Sequence, residues 1–443
     1  MAHPATAQSS ARGFAASQRR RTFMTATPPL TASGRVRFRR ARLVALLSVI
    51  GPGLLAGLSD DDPPGITVYS ILGTEYGYEL LWVLLISTVA LIAFHSLGAR
   101  MGVVTGQGLM GLIRDRYGPR WGGAALVLLV LANLGTTCAE LAGVAAGFEL
   151  FGISRYLAVP VVTVGVSVLV LGGRFHRIEH FLMALAAVFV AYIAAGFVTQ
   201  PDWGAAAMGL FVPRMPLTPE AILIVTATVG TTLAPWGLSF IQSYAVDKKL
   251  TVDDLRYERL DVVIGSVLTG VIGFFVVVTC AATLHVRGVH VDSAADAAGA
   301  LAPLAGSFAR SLFAIGIIGA AILASAVLPL STAYSLSEFT GQEGALDDGF
   351  RGAPFFYGSY LGVAGLALVI VLLPGTPLIG VLVLTQVLNA ILLLPLLVFM
   401  YLLARDPQMM GHYRVRGGSA AFYLVIIGLV ASCLAALAIL TAG

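Results

Sequence analysis

Long apolar runs recur along the whole chain, and eleven of them approach the roughly 20 residues that a helix needs to cross a bilayer. Of the 443 residues, 58% are hydrophobic and 11% are charged, whereas soluble domains carry about 25% charged residues. Backbone polar groups in hydrocarbon must bond within the protein, so only helices and closed barrels span membranes. Runs of this length predict an all-α integral membrane protein. The predicted spans cover residues 43–74, 79–99, 121–151, 156–173, 181–199, 219–246, 261–286, 311–339, 355–373, 377–403 and 420–441.

The distribution of basic residues predicts the orientation, because cytoplasmic loops carry an excess of Lys and Arg. With the N-terminus inside, the outer loops contain only four of the 27 basic residues: Arg155, Arg214, Arg287 and Arg310. We therefore expect a cytoplasmic N-terminus, an external C-terminus and a location in the cell (plasma or inner) membrane.

Residues 1–42 contain nine arginines and no acidic residue, so they are expected to form a disordered basic tail attracted to anionic lipid. Nucleic acid is not an expected partner, because no basic stretch is interleaved with aromatic residues.

Two of the apolar runs are interrupted near their centres. Residues 57–65 read Gly-Leu-Ser-Asp-Asp-Asp-Pro-Pro-Gly, and residues 231–237 read Thr-Thr-Leu-Ala-Pro-Trp-Gly. Proline lacks the helix donor and clashes with the preceding turn, so it breaks or kinks a helix. Backbone groups freed at a break are tolerated in a membrane only when they are buried in protein or line a wet cavity. A matched pair of interrupted segments is typical of the central site of a transporter, and the Asp62 carboxylate indicates a cationic substrate.

The positions of the two breaks predict an internal repeat. Five runs come before the second broken run, and five more begin with it. An odd number of crossings forces the second copy to run upside down, which is the inverted-repeat plan. The transporter domain, 43–443, would then contain repeat one at about 43–199, repeat two at about 219–403 and an eleventh helix at about 420–441.

Several short motifs carry a family resemblance. Residues 51–55 read Gly-Pro-Gly-Leu-Leu, residues 62–65 read Asp-Pro-Pro-Gly, and residues 99–106 read Ala-Arg-Met-Gly-Val-Val-Thr-Gly. Further along come Ala139-Glu140, Ser331-Thr332 and Thr385-Gln386. In order and spacing these motifs resemble the NRAMP divalent-metal transporters. The resemblance implies a LeuT-type fold and a divalent metal cation as the transported substrate.

The metal-site motifs depart from the family pattern in two places. The family motif Asp-Pro-Gly-Asn is here Asp-Pro-Pro-Gly, so Asp62 stays while Gly65 replaces the amide. The family motif Ala-x-x-Met-Pro-His starts here at Thr231, with Ala234 in place of methionine and Trp236 in place of histidine. This combination is similar to the NRAMP-related magnesium transporters. Thioether sulfur is a soft ligand, and its loss leaves an oxygen-lined site that suits Mg²⁺, which keeps several of its waters.

The candidate metal ligands are the Asp62 carboxylate, the carbonyl groups freed at the breaks and the Gln386 amide oxygen. Thr231 stands where the family has a carbonyl-donating alanine. Gly65 and Ala234 are expected to leave room for a hydration shell. Mn²⁺ should also bind, because it accepts oxygen ligands and water.

The resemblance also bears on proton coupling. In the wider family an acidic residue one turn before the third-helix glutamate and the sixth-helix histidine take part in proton movement. Here these positions are Thr137 and Trp236, whereas the glutamate remains as Glu140. We therefore expect import of Mg²⁺, and of Mn²⁺, by alternating access without proton coupling.

Three other functions stay open: a proton-coupled Mn²⁺ or Fe²⁺ importer of the ordinary NRAMP type, a membrane sensor that does not transport, and a carrier of amino acids or organic cations. The last stays open because a fold does not decide the substrate. The sequence has no nucleophile elbow, phosphate loop or triad, so neither an enzyme nor a resident cofactor is expected. Metal cations and membrane lipids are the expected partners.

Other polar residues in the runs receive simpler interpretations. Asp60 and Asp61 would either attract cations at a vestibule or be solvated. Several histidines are expected at segment ends or in loops, with no convergence on a metal: His95, His176, His180, His285, His290 and His412. Cys138, Cys280 and Cys433 are expected to be packing residues rather than a disulfide framework.

Overall fold

The structure, a computed structural model, describes residues 56–57, 59–172, 187–342 and 349–442. Every regular element within these residues is a helix. The longer helices are α1 (Pro63–Tyr76), α2 (Leu81–Thr105), α3 (Leu109–Tyr117), α4 (Pro119–Glu149), α5 (Arg155–Leu171), α6 (Ala191–Val198), α7 (Trp203–Phe211), α8 (Pro219–Thr232), α9 (Pro235–Asp247), α10 (Leu255–Thr283), α11 (Ala309–Thr340), α12 (Pro354–Val371), α13 (Leu378–Arg405) and α14 (Gly417–Ala442). Four short helices lie at Ala294–Gly299, Ala302–Ala305, Gly349–Gly352 and Pro407–Met410. The predicted tail, 1–42, lies outside the described residues, and so do His176 and His180, which were expected at segment ends or in loops.

The helices have the lengths that a multi-pass membrane protein requires. Among the described residues, eight helices are long and apolar enough to cross a bilayer, and the broken pair α8 and α9 counts as one of them. Two shorter apolar helices, Arg155–Leu171 and Val188–Val198, match the predicted fourth and fifth spans. The prediction of an all-α membrane protein is confirmed.

Two helices extend about six residues beyond their predicted ends. α2 continues to Thr105, and α10 begins at Leu255. Hydropathy marks the hydrocarbon-facing part of a helix, whereas the polar last turns lie beyond it and still form helical hydrogen bonds. The segment 247–260, which lies between the predicted sixth and seventh spans, is therefore partly helical.

Close helix packing holds the first break in place. Thr269 of α10 donates a hydrogen bond from Oγ1 to the Gly57 carbonyl, 2.5 Å away. A β-carbon on Gly57 would lie 2.6 Å from the carbonyl carbon of Gly265. Small residues allow such backbone approach between membrane helices. The segment before the break is thus fixed against α10, while α1 packs on α8 and α10.

Candidate metal site

The first break is a helix start. Asp62 has extended backbone (φ −91°, ψ 169°) and caps α1, because its Oδ1 accepts a hydrogen bond from the Gly65 N–H at 2.7 Å. Pro63 and Pro64 occupy the first helical positions, where a missing N–H costs nothing. An aspartate at this position also faces the positive end of the helix dipole. The run Asp-Pro-Pro-Gly thus encodes a helix N-terminus in the membrane interior, with a carboxylate at its tip.

The second break separates α8 from α9. α8 ends at Thr232, Ala234 is extended (φ −60°, ψ 135°), and α9 begins at Pro235. In a continuous helix the Thr231 carbonyl would accept from the N–H of residue 235, which proline lacks. This carbonyl is consequently left without its helical hydrogen-bond partner.

The two breaks meet at Gly65. A β-carbon on Gly65 would lie 2.9 Å from Asp62 Oδ1, 3.0 Å from the Asp60 carbonyl oxygen and 3.3 Å from Thr231 Oγ1. The Thr231 hydroxyl is buried and has no hydrogen-bond partner. Tyr69 of α1 and Thr232 of α8 reinforce the contact through a hydrogen bond of 2.9 Å between their hydroxyls. A carboxylate, a carbonyl and a hydroxyl therefore surround a point that only glycine leaves open.

Buried carboxyl groups dominate the electrostatics of this region. Asp60, Asp61, Asp62 and Glu140 are 0–3% exposed, and none of them forms an ion pair within the described part of the chain. The Glu140 carboxyl group contacts that of Asp62, and beyond this contact neither of its oxygens has a hydrogen-bond partner. Burying unpaired charge is expensive, so these carboxyl groups are ionised only when a cation compensates them. The interpretation of Asp60 and Asp61 as solvated residues was wrong.

A family model identifies the family of the chain. The model of the Nramp family, described as natural resistance-associated macrophage protein-like, matches residues 53–441. The chain belongs to the Nramp family.

Individual relatives agree with this assignment. The "Divalent metal cation transporter MntH" of Granulibacter bethesdensis is 28% identical over 62% of this chain and 65% of its own length. The protein of the same name from Verminephrobacter eiseniae is 29% identical over 65% of this chain and 68% of its own length. The chain thus aligns with about two thirds of these relatives, all named as transporters rather than enzymes.

Solved structures support the fold. A crystal structure of the Eremococcus coleocola manganese transporter, in complex with an aromatic bis-isothiourea substituted compound, matches with a TM-score of 0.70 and 20% identity, over 88% of this chain and 86% of that chain. Mhp1, a nucleobase-cation-symport-1 family transporter, matches with a TM-score of 0.58 and 14% identity, over 88% and 91% of the two chains. The predicted LeuT-type fold is confirmed.

In this Nramp protein the Gln386 amide lies beside the second break, with its oxygen already bonded. The α13 backbone at Gln386 packs directly on Gly230 of α8, one residue before Thr231. Gln386 Oε1 accepts from Asn389 Nδ2 at 2.9 Å, and Asn389 Nδ2 also contacts Thr136 Oγ1 at 2.9 Å. To coordinate a metal ion, the Gln386 amide oxygen would have to give up its hydrogen bond from Asn389 Nδ2.

The positions that depart from the family motif are filled by packing and internal bonds. Trp236 is 1% exposed and packs against Phe240 with a ring-centroid distance of 6.1 Å and an interplanar angle of 52°, while its indole N–H has no partner. Ser331 donates to the Trp236 carbonyl at 3.2 Å. Thr137 donates to the Asn133 carbonyl at 2.7 Å. The side chain of Ala234 is buried and contributes no donor atom.

His95 is the residue that the sequence prediction misplaced. It lies inside α2, is 1% exposed, and its Nε2 has no hydrogen-bond partner. A β-carbon on Gly237 would lie 3.0 Å from this Nε2 and 4.0 Å from Asp60 Oδ1. The error came from ending the second span at residue 99, which left His95 near its end. A buried imidazole therefore flanks the start of α9, next to Trp236.

The site is not a closed metal centre. Within the described ranges, no group of three or more His, Cys, Asp or Glu side chains is arranged to hold a metal ion. The donors around Gly65 are instead the Asp62 carboxylate, the Asp60 carbonyl and the Thr231 hydroxyl. Such a set is suited to a cation that keeps part of its hydration shell.

Proposed function

We propose that this Nramp protein imports divalent metal cations by alternating access, with the substrate held between the two broken helices. The observation that carries the proposal is the convergence of Asp62, Gly65 and Thr231 at the breaks. Ionisable residues inside membranes mark substrate pathways, and the named relatives are divalent metal cation transporters.

Mg²⁺ is the proposed preferred substrate, with Mn²⁺ also accepted, as in the NRAMP-related magnesium transporters. Ala234 supplies no sulfur, and Gly65 supplies no side chain in front of the Asp62 carboxylate. The remaining oxygen donors suit hard cations, and the open space suits a partly hydrated ion.

We further propose that transport is not proton-coupled. The side chains of Thr137 and Trp236 do not exchange protons near neutral pH. The membrane potential supplies roughly 2.3 kcal/mol per charge per 100 mV, which is about 4.6 kcal/mol for a divalent cation. This driving force is enough for accumulation without a second ion.

A proton-coupled Mn²⁺ importer is the second candidate, and two observations favour it. Glu140 stays in contact with Asp62, so a buried acid remains at the site. The imidazole of His95 near Asp60 is a nitrogen donor, which suits transition metals more than Mg²⁺.

Cation binding to the purified protein tests the substrate class. A ligand at 100 times its Kd stabilises the native state by about 2.7 kcal/mol, so Mg²⁺ and Mn²⁺ should each raise the melting temperature, and Mg²⁺ should compete with Mn²⁺. Spermidine at equal charge concentration is the control for nonspecific screening. Equal stabilisation by spermidine, or none by either metal, would refute a divalent-cation site.

Placing the family's methionine thioether at position 234 should change the selectivity among divalent cations. In Ala234→Met, the new side chain fills space at the second break that water would otherwise occupy, and its sulfur offers a soft ligand. We expect Mn²⁺ and Cd²⁺ uptake to rise relative to Mg²⁺ uptake by about tenfold, which corresponds to roughly 1.4 kcal/mol. Uptake competition between the ions measures this, and Ala234→Leu, of similar size without sulfur, is the matched control. Equal selectivity in both variants would show that volume, not sulfur, sets the preference.

A further inference from the structure

A second polar site lies at the membrane face of the molecule, away from the breaks. α2, α10 and α14 enclose a cavity of about 660 Å³, whose walls include Val89, Phe422 and three arginines, Arg100, Arg256 and Arg259. Val89 and Phe422 are 43% and 44% exposed, so the apolar wall opens sideways, where lipid surrounds the helices. The cavity therefore combines a lipid-facing wall with a basic end.

The arginines of this cavity form no ion pair within the described residues. Arg100 and Arg259 lie close enough to repel one another. The Nε of Arg100 is buried without a hydrogen-bond partner, as is the Ser96 hydroxyl one turn earlier. Like charges facing one cavity are stabilised when an anion lies between them.

One acidic side chain also lines the cavity. Glu258 of α10 is fully buried, and its oxygens have no hydrogen-bond partner. Three guanidinium groups and one carboxyl group still leave the cavity basic. The guanidinium fork matches phosphate oxygens in geometry.

We propose that this cavity binds an anionic phospholipid, with its phosphate between Arg100 and Arg259 and an acyl chain along Val89 and Phe422. The apolar lateral opening selects a lipid over a free phosphate ion, which would leave that wall uncovered. Basic pockets between membrane helices are known to bind lipid headgroups. With the predicted orientation, this end of α2 and α10 faces the cytoplasmic leaflet, which is rich in anionic lipid.

Lipid titration of the purified full-length protein in neutral detergent tests the proposal. Phosphatidylglycerol should bind, as seen by native mass spectrometry and by a rise in melting temperature, more tightly than phosphatidylcholine with the same acyl chains. Arg100→Gln and Arg259→Gln should each weaken phosphatidylglycerol binding about fivefold, since a basic residue near the surface contributes about 1 kcal/mol. Arg120→Gln, at another exposed arginine without an ion pair in the described chain, is the matched control.

The outcomes are distinguishable. Equal binding of the two lipids, or equal loss in the Arg120 control, would overturn the proposal. Saturation by inorganic phosphate alone, with no added effect of phosphatidylglycerol, would overturn it in favour of a free-anion site. Because Arg259 is exposed, its variant is expected to fold even if Arg100→Gln does not, and lipid binding by that variant at wild-type strength would also count against the site.

Discussion

Replacing Asp62 with asparagine is expected to abolish divalent-cation uptake while the protein still folds. Asparagine caps helices about as well as aspartate, so its Oδ1 can keep the 2.7 Å bond from the Gly65 N–H. The negative charge is lost, and removing one partner of a buried charge pair costs about 2–5 kcal/mol. Uptake at subsaturating metal should fall at least about 30-fold, measured in proteoliposomes with Mg²⁺ and Mn²⁺.

A second aspartate provides the control. Asp202 caps α7 in the same manner, its Oδ1 accepting from the Ala205 N–H at 2.9 Å, but it is exposed. Asp202→Asn should leave uptake unchanged. Full uptake by Asp62→Asn, with normal folding, would remove Asp62 from the substrate site.

Adding one methyl group at Gly65 should be nearly as damaging. In Gly65→Ala the β-carbon would lie 2.9 Å from Asp62 Oδ1 and 3.3 Å from Thr231 Oγ1, closer than ordinary contact. Either the oxygens move or the cation loses room, and forced overpacking costs about 1–3 kcal/mol. We expect a loss of uptake of about 5- to 150-fold, measured as initial rates at matched protein density.

Gly362→Ala is the matched control for this substitution. Gly362 lies within α12, and a β-carbon there would meet nothing within 4 Å. The change should keep full uptake and slightly raise stability, since alanine favours helix. If Gly65→Ala transported at the wild-type rate, the space in front of Asp62 would not hold the substrate.

The sequence predicted the architecture well, because membrane helices are specified by local hydropathy. Both breaks were located from prolines with their acidic or small neighbours, and Pro63 and Pro235 do begin helices there. Helix ends were less predictable: α2 and α10 extend past their apolar cores. Hydropathy indicates which part of a helix faces lipid, whereas the helical hydrogen bonds continue beyond it into the membrane interface.

The site was predictable only in part. Asp62, Gly65 and Thr231 belong to the breaks themselves, so their convergence followed from the repeat. The burial of Asp60 and Asp61 and the approach of His95 to Gly237 depend on packing between distant helices. The bond between Gln386 and Asn389 likewise reflects the conformation of the molecule, which sequence patterns do not encode.

Mg²⁺ flux and internal pH, recorded together, test whether the protein imports Mg²⁺ without proton coupling. The purified protein is reconstituted into liposomes that hold a magnesium-sensitive dye and a pH dye, with an inside-negative potential imposed. We predict Mg²⁺ influx that increases with the potential and causes no acidification. Mn²⁺ influx with acidification, and no Mg²⁺ influx, would contradict the account and establish the proton-coupled alternative.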